Sequence, residues 1–235
     1  MAEPLPLFPL GHTVLFPGVV LPLHVFEERY RELVRTLVDL PEGARRRFGV
    51  VAIRQGWEVG EDAVSALHDI GCAAELRRVS RYPDGRYDIV TVGTDRFRLR
   101  SVDRESRPYL VGSVDWLPAE PRAADLAGLA AAVGALFGDY ADAAAGLQGR
   151  PAEPTESAEP AEPAELPAEP VELAYAVAAV AVLTLEDRQA LLAAETTRAR
   201  LQAELRLLKR ETTMVRRLRA LPVPIAELQV TQSLS

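Results

Sequence analysis

One cysteine (Cys72), one lysine (Lys209) and three histidines (His12, His24 and His68) occur in 235 residues. A single thiol excludes an internal disulfide and denies a structural zinc site its usual thiolates. No two histidines stand at metal-ligand spacing, and no Cys–His pairing is signalled. The chain has no nucleophile elbow and no Gly-x-x-x-x-Gly-Lys-Ser/Thr phosphate loop. Glu27 and Glu28 are adjacent, so they do not share a helix face as a paired acid and base would; they suit the positive end of a helix. Neither catalysis nor a cofactor or metal is expected. No apolar run reaches about 18 residues without a charge or a proline, which excludes a spanning helix. Met1-Ala-Glu-Pro lacks the basic-then-apolar pattern of a secretory signal, so a cytoplasmic location is expected.

What is present is 48% hydrophobic, enough for a sizeable core. Charge is uneven along the chain. Residues 1–115 carry a net −1, residues 116–170 a net −8 and residues 171–235 a net +2, for a total of −7. The acidic middle is expected to be solvated, and the acidic balance disfavours nucleic-acid binding, which needs phosphate neutralisation.

Five prolines (Pro4, Pro6, Pro9, Pro17 and Pro22) punctuate an apolar N-terminal run. Proline lacks a backbone donor and fixes φ, so the run reads as short edge strands around turns, with Phe16-Pro17-Gly18 as one turn. From Val25 the rhythm becomes helical, with Phe26, Tyr30, Leu33, Val34 and Leu37 on one stripe. Strands are predicted at 48–53, 72–79, 87–92, 96–102 and 109–116. Pro83-Asp84-Gly85 is predicted as a hairpin tip and Gly93-Thr-Asp95 as a further turn. In 96–102, Phe97 and Leu99 alternate with Arg96, Arg98 and Arg100; the arginines are read as a solvated face, or else as a basic stripe for RNA.

Beyond Pro118 the pattern is helical. Residues 122–147 carry a stripe of Leu126, Leu129, Val133, Leu136, Phe137 and Tyr140. Residues 150–170 are a Glu/Pro-rich tract in which repeated proline forbids helix and repeated glutamate repels itself. Helix resumes over 171–183. Thr184-Leu-Glu-Asp187 reads as a capping box, and Thr196 or Thr197 as the cap of a last helix bearing Leu201, Leu205, Leu208, Val215 and Leu218 and ended by Pro222.

Leu15-Phe-Pro-Gly-Val-Val-Leu-Pro-Leu-His-Val-Phe-Glu-Glu-Arg-Tyr30 resembles the opening motif of the N-terminal, substrate-binding domain of Lon proteases. The likeness continues through Arg47–Val51, Ile70–Val79, Pro83–Tyr87, Val92–Leu99, Pro108–Pro118 and Leu183–Leu192. The resemblance implies an α+β fold: a PUA-like β pseudo-barrel with one inserted helix, over residues 1–118, then an α-helical bundle over 119–222 and a tail at 223–235. In Lon proteases an ATPase and a Ser–Lys peptidase follow this region. Here no phosphate loop occurs, and Lys209 is followed by only 26 residues. The chain is therefore expected to be a stand-alone, non-catalytic form that binds exposed apolar segments of unfolded or client polypeptides. A protease or chaperone would be a further partner. The alternative is a PUA-like RNA-binding protein. The candidate peptide-binding residues are Phe16, Leu21, Leu23, Phe26 and Tyr30, which either line a groove or belong to the barrel core.

Overall fold

A computed structural model describes residues 2–56, 64–121, 124–145 and 166–218. Most of the Glu/Pro-rich tract, Pro222 and the tail lie outside these residues. The chain divides into two compact units, Met1–Pro121 and Arg122–Ser235.

The first unit holds β1 (Glu3–Leu10), β2 (Val20–Val25), α1 (Glu28–Val38), β3 (Arg47–Gly56), β4 (Val64–Leu67), β5 (Ile70–Arg81), β6 (Tyr87–Asp103) and β7 (Val111–Trp116). The pairings run β1-β7-β6-β5-β3 and return to β1, closing a pseudo-barrel, while β2 lies on β6 and β4 on β3. Closure depends on β1 changing partner. Glu3–Pro6 runs antiparallel to β7, and Leu7–Leu10 runs parallel to β3. The Leu7 N–H donates to the Leu110 carbonyl on the β7 side at 2.8 Å. Donors alternate along a strand, so positions 4 and 6 point away from β7, before the β3 ladder has begun. Position 9 points towards β7, after the β7 ladder has ended at Pro6. All three β1 prolines thus sit where no ladder donor is needed. The proline-rich run thus forms edge strands as expected, each half of β1 being paired on one side only and β2 pairing β6 alone among the described residues, but the two halves of β1 use different partners.

A salt-bridged clasp ties three strands at this seam. Glu3 of β1 accepts from the Trp116 indole of β7 at 2.7 Å and from Arg47 of β3 at 2.9 Å. The Arg47 guanidinium lies 4.1 Å from the Trp116 ring centroid. The indole, and then Arg47, hold the Glu3 carboxyl below its usual range. Inside, Leu5, Leu7, Val51, Ile53, Phe97 and Val114 form the core.

Gly93 departs from its expected turn: β6 continues through Gly93-Thr-Asp95 without reversing, with a register shift against β5 between Gly93 and Arg96. The Phe16–Gly18 turn crosses β6 here. Gly18 donates to the Gly93 carbonyl at 2.8 Å and Gly93 to the Val19 carbonyl at 2.9 Å. A Cβ on Gly93 would stand 2.1 Å from the Phe16 carbonyl oxygen, so the glycine serves close approach and not chain reversal. The two expected tips are turns. Gly18 and Gly85 have φ of 79° and 84°, and Gly85 donates to Tyr82 at 3.0 Å. Arg96 also departs from expectation. It is buried and paired with Glu120 at 2.7 Å, which leaves Arg98 and Arg100 outside, the latter on Asp115.

The second unit begins with a 3-10 turn (Ala124–Leu126) and contains α2 (Ala127–Ala145), α3 (Pro170–Val180), α4 (Leu185–Ala193) and α5 (Thr197–Leu218). Pro170 opens α3, where a missing N–H costs nothing; the prohibition on helix read across 150–170 therefore stops one residue short. Thr184 caps α4 as expected, accepting from the Asp187 N–H at 3.1 Å. Thr196 accepts from the Ala199 N–H at 3.1 Å at the start of α5.

The inner seam of α5 is Thr197, Leu201, Glu204, Leu208, Glu211 and Val215, alternating four and three residues apart and all buried. Beside it, fully buried Arg200 donates to the Leu191 carbonyl at 2.9 Å and the Ala194 carbonyl at 3.1 Å, capping the end of α4. Its guanidinium lies 4.2 Å from the Tyr175 ring of α3. Glu204 is 1% exposed, and neither carboxylate oxygen has a hydrogen-bond partner among the described residues. Burial pushes its carboxyl up to about 9, against the attraction of Arg200.

Two predictions follow from these contacts. Gly93→Ala is expected to cost about 1–3 kcal/mol by overpacking, read as a lower denaturant midpoint at unchanged slope. Because the folded Glu204 carboxyl is raised, the unfolded state releases its proton first. Stability should therefore fall as pH rises from about 4.5 towards about 9. Glu204→Met should flatten that slope and stabilise the protein by about 1–4 kcal/mol at pH of about 8, measured by thermal unfolding across pH.

Candidate functional site

The end of β1, the end of β2 and the start of α1 meet around an open depression of about 180 Å³ in the first unit. Phe8 and Leu10 come from β1, Leu23 and Val25 from β2, and Phe26, Glu27 and Tyr30 from the helix entry. The floor is fixed by stacking: the Phe8 and Tyr30 rings lie 4.1 Å apart, with Phe48 5.8 Å from Phe8. α1 buries Tyr30, Leu33, Val34 and Leu37 and turns Glu28, Glu32 and Arg35 outward as an ion-paired face. The volume is small for a cofactor or drug-sized ligand, which needs roughly 300 Å³ or more, but suits one apolar side chain.

The five candidate residues separate. Leu23, Phe26 and Tyr30 share this depression. Phe16 is 0% exposed and belongs to the core beneath Gly93. Leu21 is half-buried on β2, its carbonyl accepting from the Thr91 hydroxyl at 2.9 Å. Tyr30 is buried and forms the floor, whereas Phe26 is 53% exposed at the rim. Phe26 also falls outside the helical stripe, because α1 begins at Glu28 with Glu27 as its cap position. Among the described residues β2 pairs with β6 alone, so one edge of β2 carries no ladder.

A polar chain borders the depression that sequence patterning does not disclose. His24 Nδ1 donates to Asp88 Oδ1 at 2.6 Å, and the Tyr82 hydroxyl donates to Asp88 Oδ2. Arg86 Nη1 donates to His24 Nε2 at 3.4 Å. The His24 ring stacks near Phe26, centroids 6.3 Å apart. The Tyr82 hydrogen bond, followed by that from His24, holds the Asp88 carboxyl below its usual range; the same carboxylate raises the Tyr82 phenol. The register that opposes His24 to Asp88 across β2 and β6 joins positions 64 residues apart, beyond any local signal. Among the described residues no group of His, Cys, Asp and Glu could hold a metal ion, and no helix is long and apolar enough to cross a membrane. Cys72 is fully buried and its thiol is pushed up by desolvation, so it offers no reactive thiolate. In an Asp88→Asn variant the Tyr82 phenol should titrate lower, near its ordinary value of about 10, as followed by NMR of the ring.

Comparison with known proteins agrees with this architecture. The family model described as the ATP-dependent protease La (LON) substrate-binding domain matches residues 4–210. A Lon protease of Porphyromonas gingivalis is 34% identical over 118 residues, 50% of this chain and 13% of that protein. A Lon protease of Flavobacterium johnsoniae is 36% identical over 111 residues, 47% of this chain and 13% of that protein. The matched region thus spans only about an eighth of these relatives. Among solved structures, the Lon N-terminal domain protein from Xanthomonas campestris superposes with a TM-score of 0.60 at 24% identity, covering 88% of this chain and 98% of that one. The N-terminal domain of the Mycobacterium avium complex Lon protease gives 0.55 at 17% identity, covering 90% and 98%. With the family model matching most of its length, the chain belongs to the Lon substrate-binding domain family.

Proposed function

We propose that this chain is a polypeptide-recognition module, without catalysis of its own, that takes exposed apolar segments of unfolded or client proteins at the β1–β2–α1 depression. The observation that carries the reading is Phe26, 53% exposed at the rim of an apolar hollow sized for one side chain. A client side chain entering the hollow would be covered by Leu23, Tyr30 and Phe26, and its burial supplies the affinity. The unladdered edge of β2 lies alongside, so the client backbone gains strand-type hydrogen bonds next to the pocket, with Pro22 limiting how many. Val20, 58% exposed on β2, extends the apolar surface along the same strand.

Titration of a labelled, reduced, unfolded model protein tests the reading; no binding at high micromolar concentration counts against it. Phe26→Ala should change stability by no more than about 0.5 kcal/mol yet weaken binding on the order of tenfold. Phe16→Ala should cost about 3–5 kcal/mol of stability through its core cavity. Incubation with casein, with and without ATP, should leave the casein intact, and reproducible cleavage would overturn the non-catalytic assignment.

A further inference from the structure

The outward side of α5 carries six cations and no acid. Arg198, Arg206, Lys209, Arg210, Arg216 and Arg217 are exposed, whereas the helix's two acids, Glu204 and Glu211, are buried at 1% and 3%. Arg198 is neutralised by Asp125, and Arg210 by Asp187 and Glu211. Arg206, Lys209, Arg216 and Arg217 form no ion pair among the described residues. At 3.6 residues per turn these four fall within an arc of about 100°, along roughly 16 Å of helix. α1 shows the usual alternative, its Glu28, Glu32 and Arg35 interleaved as intrahelical pairs. Like charges at helical neighbour spacing are instead mutually destabilising. The helix C-terminus favours Arg216 and Arg217 in its last turn, but with its acids inside and its bases outside the helix keeps a local positive field that an anionic partner relieves.

We propose that this face of α5 docks an acidic polypeptide segment. Guanidinium groups fork onto carboxylates with two parallel hydrogen bonds, which suits three arginines and a lysine on one side of a helix. The arc holds no aromatic residue on which a base could stack. The chain's net −7 opposes a long polyanion, whereas a short acidic segment responds to charges within a Debye length of about 8 Å. The surface belongs to the second unit and is independent of the depression in the first.

The test is fluorescence anisotropy of a labelled polyglutamate peptide of about 12 residues, titrated with the full chain. Binding at about 0.02 M salt should weaken about tenfold or more at about 0.3 M. It should be lost when Arg206→Glu, Lys209→Glu, Arg216→Glu and Arg217→Glu are combined, and reduced at least about fivefold by the corresponding Gln substitutions, which place less strain on folding. Four reversals of exposed arginines in the first unit, Arg78→Glu, Arg81→Glu, Arg98→Glu and Arg107→Glu, should leave the affinity within about twofold, with circular dichroism confirming that each variant is folded. Peptide binding unchanged in the folded α5 variants, equal loss in the control set, or tighter binding of a single-stranded RNA of equal charge would overturn the proposal.

Discussion

The first unit depends on one strand serving two ladders. β1 meets β7 with its first half and β3 with its second, and without that exchange the remaining strands would form an open, twisted sheet. The exchange sets the rest of the geometry. It sets Phe8 and Leu10 beside Val50 and Ala52 in the first part of β3, where the Phe48 and Tyr30 rings pack on Phe8, and so fixes the floor of the depression. The Glu3–Arg47–Trp116 clasp secures the same exchange from outside, with one residue from each strand involved. Its ion pair is half-buried, Glu3 being the more exposed partner, and contributes modestly on its own; the aromatic cover over Arg47 adds geometric definition.

Much of this was legible in the chain where the signal is local. Pro83-Asp84-Gly85, Phe16-Pro17-Gly18 and Thr184–Asp187 are turns and a cap because their chemistry acts over three or four residues. Two of the departures from patterning share a cause. Gly93 looks like a turn residue because glycine is common there, but it is needed where the Phe16 carbonyl passes, 77 positions away in sequence. Arg96 looks solvated by alternation, but Glu120 draws it inside. The candidate site was legible in composition and not in depth. An apolar run identifies large side chains, but only the fold separates Phe16, sealed in the core, from Phe26 on the surface.

The second unit follows a different rule. Its α5 seam reads as a coiled-coil stripe with glutamates at two of its positions, and Arg200 beside it caps the end of α4 and lies against Tyr175 in the middle of α3. The four-and-three spacing of Glu204 and Glu211 with Leu201, Leu208 and Val215 was visible in the sequence, and would have placed both carboxyls inside had polar residues been admitted to the stripe. Burying them costs stability. It also leaves the opposite side of the helix uniformly basic, so the interior and the surface of α5 are two consequences of one charge arrangement.

The alternation of the β1 prolines bears on self-association. An unpaired strand margin is normally a template onto which a second molecule can zip, and polymerisation through such margins is a standing hazard of β proteins. At Pro4, Pro6 and Pro9 the margins of β1 offer no N–H to an incoming strand, which blunts edge-to-edge pairing at the seam. β2 pairs β6 alone among the described residues, and its free margin keeps donors on either side of Pro22 and lacks one there.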